Sequence, residues 1–180
     1  MDDIVRVALK KWPNVPACYG WLALDARGDW YLRDDRVQAA GPFPAIKGSR
    51  IEHLKLREFI ERNYAADDSG RWFFQNGPQR VYVELEAAPW VWRLPLDDDA
   101  TRVQAHTGAP AQVASSWLDE HGRLFLGTDL GLGIVHTLDM LQASGVVEGG
   151  AWAPQQIAFA ELPARFGYRL NPATPNSDRA

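Results

Sequence analysis

The sequence predicts an α+β fold of two tandem ββαββ-like pseudo-repeats, with antiparallel sheets that each carry one main helix. Three observations support this prediction. A Leu-Asp-x-x-Gly hairpin pattern begins at Leu24 and again at Leu118. A segment with helical spacing of apolar residues follows each hairpin, and strand-like segments follow each helix.

The first half opens with a short amphipathic helix over residues 2–11. A strand over 18–25 then turns at Gly28 and returns over 29–33, because glycine permits the backbone angles of a tight turn. The Gly- and Pro-rich residues 41–48 predict a loop.

The main helix of the first half is predicted to begin near Ser49, which forms a capping box with Glu52. Its buried face is expected to contain Ile51, Leu56, Phe59, Ile60 and Tyr64. A hairpin pairs residues 72–74 with 81–85 around an Asn-Gly turn, and a third strand covers 90–94. Strand alternation places Tyr82, Glu84 and Glu86 on one face, expected to be solvent-exposed.

The second half repeats this order with shorter loops. Strands over 113–119 and 123–126 precede a helix, and strands over 156–162 and 165–170 follow it. The helix is expected to bury Ile134, Leu138 and Leu141. The domains are therefore predicted as an N-terminal lobe (1–94), a linker (95–112), a C-terminal lobe (113–170) and a disordered tail (171–180).

An internal duplication accounts for three matches that occur in the same order in both halves. The two hairpin patterns align without a gap, and Ile51-x-His53 matches Ile134-x-His136. Glu84-Leu85 resembles Glu161-Leu162. One such small unit buries little apolar area alone, so we expect the two lobes to share an interface and a groove, where ligands tend to bind.

Composition excludes several classes of function. The chain of 180 residues has a net charge of −4 with scattered Lys and Arg, which argues against a nucleic-acid partner. It contains no membrane-length apolar run and no signal peptide, so we expect a cytoplasmic protein without a membrane partner. The single cysteine, Cys18, excludes Cys-rich metal sites. No cofactor and no metal are predicted, and the run Asp97–Asp99 is interpreted as a solvated loop.

The candidate ligand-binding residues are aromatic, cationic or titratable. The chain has eight tryptophans; most are expected in the core, while Trp72, Trp90 and Trp92 are candidates to line a groove. Lys47, Ser49 and Arg50 could bind a small anion at the first helix start, and His53 and His136 could face each other across the lobe interface. The alternative is that each histidine merely packs or bonds a backbone carbonyl at a helix start.

Two further motifs lack the residues that nucleotide binding or nucleophilic catalysis would require. The glycines of residues 127–133 lie between a strand and a helix but fail the GxGxxG spacing, so we do not predict a nucleotide site. Ser115-Ser116 lacks a nucleophile elbow, and no catalytic set can be assembled.

The run WPNVPACYGWLALDARGDWYLRD, followed by the capped helix and WFFQNGPQRVYVELE, resembles an uncharacterised proteobacterial protein family. The resemblance spans most of the chain and implies a bacterial cytoplasmic protein of unknown function, without transferable catalytic residues.

The leading functional hypothesis is a non-catalytic module that binds a small molecule or peptide in an aromatic-lined groove between the repeats. One alternative is an enzyme that uses His53 or His136 with a carboxylate at the lobe interface. Another is a homo-oligomeric interaction protein that covers Trp90 or Trp92 with a second subunit.

Overall fold

The computed structural model describes residues 1–95 and 101–173, which form two compact units. Unit 1 contains residues 1–25, 29–86 and the described residues from Tyr168 onward, and unit 2 contains residues 26–28 and 87–167. Each unit is built around one β-sheet with few helices, which confirms the predicted α+β class.

Unit 1 contains three helices and six strands within the described ranges. The helices are α1 (Asp3–Lys11), α2 (Asp35–Ala40) and α3 (Leu54–Arg62). The strands are β1 (Cys18–Leu24), β2 (Trp30–Leu32), β3 (Ser49–Arg50), β4 (Tyr64–Ala66), β5 (Trp72–Asn76) and β6 (Gln79–Leu85).

Sheet 1 has the order β3-β2-β1-β6-β5-β4. Its two hairpins, β1–β2 and β5–β6, are antiparallel as predicted, but they join through a parallel pair, in which Leu24 of β1 aligns with Leu85 of β6. The face that contains Leu24 and Leu85 is buried, and Phe74 contacts Phe59 of α3 edge-on.

Within the described ranges, unit 2 contains a seven-stranded sheet, two α-helices and two short 3₁₀ helices, Thr137–Asp139 and Phe159–Glu161. The strands are β7 (Trp90–Arg93), β8 (Val103–Ala105), β9 (Pro110–Ala111), β10 (Val113–Leu118), β11 (Leu124–Thr128), β12 (Gly131–Val135) and β13 (Gln155–Gln156). Sheet 2 has the order β13-β10-β11-β12-β7-β8-β9, with parallel pairs β10–β13 and β7–β12. The helices are α4 (Met140–Glu148) and α5 (Leu162–Phe166).

The unit boundaries differ from the predicted lobes. The strand expected to complete the first lobe, β7, lies in sheet 2, where it pairs with β8 and β12. Residues 103–105 and 110–111, placed in the linker, are strands of the same sheet. The acidic run Asp97–Asp99 and tail residues 174–180 lie outside the described residues.

The second-half helix and the final strands were predicted wrongly. Ile134 lies in strand β12, and α4 starts only at Met140. Leu138 and Leu141 are exposed rather than buried. Of the expected strand over 156–162, only Gln156 lies in a strand. The expected last strand over 165–170 does not form, and its first two residues belong to α5.

The start of α3 also corrects the prediction. Ser49 and Arg50 form strand β3, and the helix begins after His53, whose Nδ1 accepts the backbone N–H of Leu56 at 3.3 Å. Leu56 is exposed, whereas Ile60 is buried as expected.

Both faces of β6 are covered. Tyr82 is buried and Glu84 is partly buried, so the solvent-exposed face predicted for Tyr82, Glu84 and Glu86 is wrong. The outermost strands of both sheets, β3, β4, β9 and β13, have only two or three residues each. None of the helices in the described ranges is long and apolar enough to span a bilayer.

Candidate functional site

Three hairpin turns of the chain share the pattern Asp-x-x-Gly and begin at Asp25, Asp67 and Asp119. In each turn the aspartate N–H donates to the carbonyl of the fifth residue, and the N–H of that residue donates back to Oδ1 of the aspartate. The aspartates are therefore structural parts of the turns, because a short carboxylate satisfies the turn amides. The group that donates to Oδ2 is an arginine in two of the turns and a different group in the third.

Two of the turns provide their own counter-ion. Nε of Arg71 donates to Oδ2 of Asp67 at 2.8 Å, and Nε of Arg123 donates to Oδ2 of Asp119 at 2.6 Å. Burial raises the pKa of Asp67, but the hydrogen bonds from Arg71 outweigh it and leave that pKa below its ordinary value. An arginine at the fifth position thus neutralises the carboxylate locally.

The Asp25 turn breaks this rule because its fifth residue is Asp29, a second carboxylate. Oδ2 of the buried Asp25 instead accepts a hydrogen bond from Nζ of Lys47 at 3.0 Å and one from the hydroxyl of Tyr31 at 3.2 Å. Lys47 comes from the loop before β3, 22 residues along the chain. Its ammonium also donates to Oε2 of Glu86 at 2.8 Å.

We call Asp25, Tyr31, Lys47 and Glu86 the lysine cluster. Burial lowers the pKa of Lys47, but hydrogen bonds to Glu86 and Asp25 outweigh it and raise the pKa above its ordinary value. Burial, followed by the charge of Asp25, raises the pKa of Tyr31. Lys47 is therefore a permanent cation and Tyr31 a neutral hydroxyl at physiological pH, although 35% of the Lys47 side chain is exposed.

Arg50 extends the lysine cluster across the sheet. Arg50, Tyr31, Ala23 and Glu84 align in register across β3, β2, β1 and β6 and so share one face of sheet 1. The Arg50 side chain is 53% exposed and makes long contacts, at 3.5 Å to Asp29 and 3.4 Å to Glu52. Nζ of Lys47 lies 5.5 Å from the Tyr31 ring centroid, and Arg50 is the residue opposite Tyr31 in β3, so two cations lie beside Tyr31.

The same face carries an arginine buried beneath the loop before β3. Arg33 donates to the carbonyl oxygens of Gly41 and Ile46, and its Nε lies 3.2 Å from Oε2 of Glu84. Burial raises the pKa of Glu84, and the charge of Arg33 opposes that shift. Arg33 therefore fixes the loop that presents Lys47.

At the other end of this face, Tyr19 and Tyr82 stack with ring centroids 4.7 Å apart. The guanidinium of Arg71 lies 4.7 Å from the Tyr82 ring centroid, and the Tyr82 hydroxyl donates to Asp67. Tyr19, Tyr82, Arg71 and Asp67 thus contact one another, which indicates a structural role.

The structure separates the remaining candidate residues. Ser49 is exposed in β3 and His53 caps α3, so the expected anion site at a helix start does not form as predicted. Trp72 packs against Tyr64, with their ring centroids 4.7 Å apart. In the described ranges, no three His, Cys, Asp or Glu side chains come together in a way that could hold a metal ion.

Trp90 and Trp92 lie in unit 2, where their contacts indicate a structural role. Nε1 of Trp92, which is fully buried, donates to the carbonyl of Leu126, and Nε1 of Trp90 donates to that of Leu130. A Cβ at Gly133 would lie 2.4 Å from Nε1 of Trp92. Among the glycines considered for nucleotide binding, Gly133 therefore allows β12 to pack closely against Trp90 and Trp92.

His136 is buried in unit 2, and His106 of the same unit is partly buried. Nδ1 of His136 accepts the Leu138 N–H at 3.0 Å, and the neighbouring Asp139 binds Arg93 at 2.6 Å. Nδ1 of His106 accepts the Val91 N–H at 3.3 Å, and burial lowers the pKa of His106 to about 3. His106 is therefore neutral at physiological pH.

A family model and one solved structure resemble this chain. The model of the DUF2944 family, described as "Protein of unknown function (DUF2946)", matches residues 1–173. The chain belongs to this family. A solved structure of a DUF1285 family protein from Silicibacter pomeroyi DSS-3 matches with a TM-score of 0.50 and 11% identity, covering 81% of this chain and 85% of that chain. That identity supports likeness of fold alone. No curated protein matches.

Sequence reasoning on this DUF2944 chain named Lys47 and Arg50 as candidates but missed that Lys47 binds Asp25 and Glu86, although one signal was visible. Three turns share Asp-x-x-Gly, and only the first has an acid where the others have arginine. That difference predicts a cation from elsewhere. It does not identify Lys47, because the loop of residues 41–48 gives no periodic pattern from which to place its side chains.

Proposed function

We propose that this DUF2944 protein is a non-catalytic binding module that holds a small molecule or a peptide end at the lysine cluster and Arg50. The observation that supports the proposal is the replacement of a local arginine by Asp29 and a loop-borne lysine. An arginine at position 29 would meet the structural need, as Arg71 and Arg123 do in their turns. The arrangement at Asp25 instead brings two carboxylates and a part-exposed ammonium to the surface.

The charges of the cluster define the ligand class. Lys47 offers a part-exposed donor and Arg50 an exposed one, while Glu86 and Asp29 offer part-exposed carboxylates beside them. A ligand with both an ammonium and a carboxylate group can pair with both sets, and charge-assisted hydrogen bonds are the strong ones. Free amino acids and the ends of short peptides belong to this class.

The contacts of the histidines favour binding over catalysis. A general base must exchange protons with a substrate at hydrogen-bond distance. His136 is buried and its Nδ1 already accepts a backbone hydrogen bond, whereas the exposed His53 caps α3 through Nδ1.

The test is ligand-observed NMR with a panel of unmodified dipeptides and the same dipeptides acetylated at the amino end or amidated at the carboxyl end. We expect unmodified dipeptides to bind and either block to weaken binding at least tenfold, about 1.4 kcal/mol. Lys47→Met and Arg50→Met should abolish the signal. Arg6→Met, which removes an exposed ion pair on α1, should leave it unchanged.

Two results would overturn the proposal. One is the absence of binding by every unmodified dipeptide and amino acid tested. The other is equal binding by the wild type and by correctly folded Lys47→Met and Arg50→Met variants.

A further inference from the structure

Four apolar side chains are unusually exposed, and they form two pairs on two helical segments. Ile4 and Val7 of α1 are 74% and 64% exposed, and Leu138 and Leu141 are 70% and 87% exposed. These are the highest exposures among the large apolar residues that the structure describes. Each pair has the i,i+3 spacing that places two side chains side by side on a helical surface.

The first pair lies in basic surroundings. Lys11 follows Val7 by four residues and so continues the Ile4–Val7 face of α1, with Lys10 beside it. Residues 4–11 contain Arg6, Lys10 and Lys11 and no acid. We call Ile4, Val7, Lys10 and Lys11 the basic helix surface.

The second pair is followed on the same helical surface by an acid. Residues 124–164 contain no Lys or Arg; of their acids, Asp139 is paired with Arg93, whereas Glu148 is exposed on α4. Glu148 lies two turns after Leu141 on the same face of α4, with exposed Ser144 and Gly145 between them. A Cβ at Gly145 would meet nothing within 4 Å, so another helix can approach closely there. Leu138, Leu141, Glu148 and the small residues between them form the acidic helix surface.

We propose that these two surfaces bind each other between copies of the chain, with the basic helix surface of one molecule on the acidic helix surface of a second. Aliphatic side chains of similar size meet in the centre, and Lys10 and Lys11 meet the carboxylate of Glu148. A second copy satisfies both requirements because every molecule carries both surfaces. The small apolar area places the complex in the weak, transient class.

The test is sedimentation equilibrium of the whole chain up to about 0.5 mM, a range that covers weak complexes. We expect reversible self-association that Ile4→Glu or Leu141→Glu weakens at least tenfold. Leu54→Glu, which changes an exposed leucine on α3, is the matched control and should have no effect. Circular dichroism confirms that each variant is folded.

Mixing and charge exchange separate this contact from other pairings. Ile4→Glu and Leu141→Glu chains, each defective alone, should associate when mixed, because one intact α1 meets one intact α4. Lys11→Glu and Glu148→Lys should each weaken association, and the double variant should regain it. A monomer at every concentration, failure of the mixture to associate, or an equal effect of Leu54→Glu would overturn the proposal.

Discussion

Nζ of Lys47 lies 3.0 Å from Oδ2 of Asp25, at the place where the Asp67 and Asp119 turns put Nε of an arginine. All three turns make the same hydrogen bonds between the aspartate and the backbone of the fifth residue. One chain thus shows two solutions to the neutralisation of a buried carboxylate, one local and one long-range.

Lys47→Met should destabilise unit 1 by about 1–2 kcal/mol, because it leaves buried Asp25 with one charge partner fewer while the exposure of Lys47 limits the loss. Asp29→Arg in that background should restore at least half of the stability by recreating the local pair of the other turns. Urea unfolding measures both. An Asp29→Arg change that fails to rescue would show that the turns are not equivalent.

Arg123→Met should cost about 3 kcal/mol, because the Asp119 side chain is fully buried and its Oδ2 accepts from Nε of Arg123. Arg6→Met removes an ion pair whose side chains are both exposed and should change the free energy of unfolding by less than about 0.5 kcal/mol. Equal costs in urea unfolding would contradict the interpretation of the Asp119 turn.

Gly133→Ala should destabilise unit 2 by about 2 kcal/mol or more, because its Cβ would lie 2.4 Å from Nε1 of Trp92 and 2.7 Å from Cβ of Trp90. Gly145→Ala in α4 places a Cβ in open space and should stabilise by about 0.5–1 kcal/mol, since alanine favours helix over glycine. Thermal unfolding of the two variants should therefore shift in opposite directions.

Stability should fall in acid because of His106. Its pKa is about 3 in the folded chain and 6.5 ordinarily, so the unfolded state binds the extra proton between these values. The stability that neutral His106 contributes to the folded state is fully present above pH 6.5. The free energy of unfolding then decreases by roughly 1.4 kcal/mol per pH unit as pH falls toward 3. Urea unfolding from pH 7 to pH 4 should show a smaller slope for His106→Gln than for the wild type. His121→Gln, a change at an exposed histidine, should keep the wild-type slope.

The hairpins and α1 could be predicted because their signals are local. Glycine turns, alternating apolar residues and the Asp-x-x-Gly pattern act over a few residues, and β1–β2, β5–β6 and β10–β11 formed where these signals occur. The second helix could not be located in the same way. Ile134, Leu138 and Leu141 have helical spacing, but packing of Trp90 and Trp92 against Gly131 and Gly133 favours a strand up to Val135.

Most of the candidate site depends on contacts between distant residues. Lys47 and Glu86 are 39 positions apart, and the parallel pairing of β1 with β6 places Glu86 beside the Asp25 turn. The N–H of Glu86 donates to the carbonyl of Leu24. The sequence indicates a missing counter-ion at Asp25 but not the strand order that supplies it.

The short outermost strands limit how molecules of this protein can meet. A sheet margin of two or three residues offers too few free backbone groups for a neighbouring chain to extend the hydrogen-bond ladder. Ribbon-like stacking into fibrils is thereby disfavoured even at high concentration. Contacts between molecules must then depend on side chains, which a single substitution can change without altering the sheets.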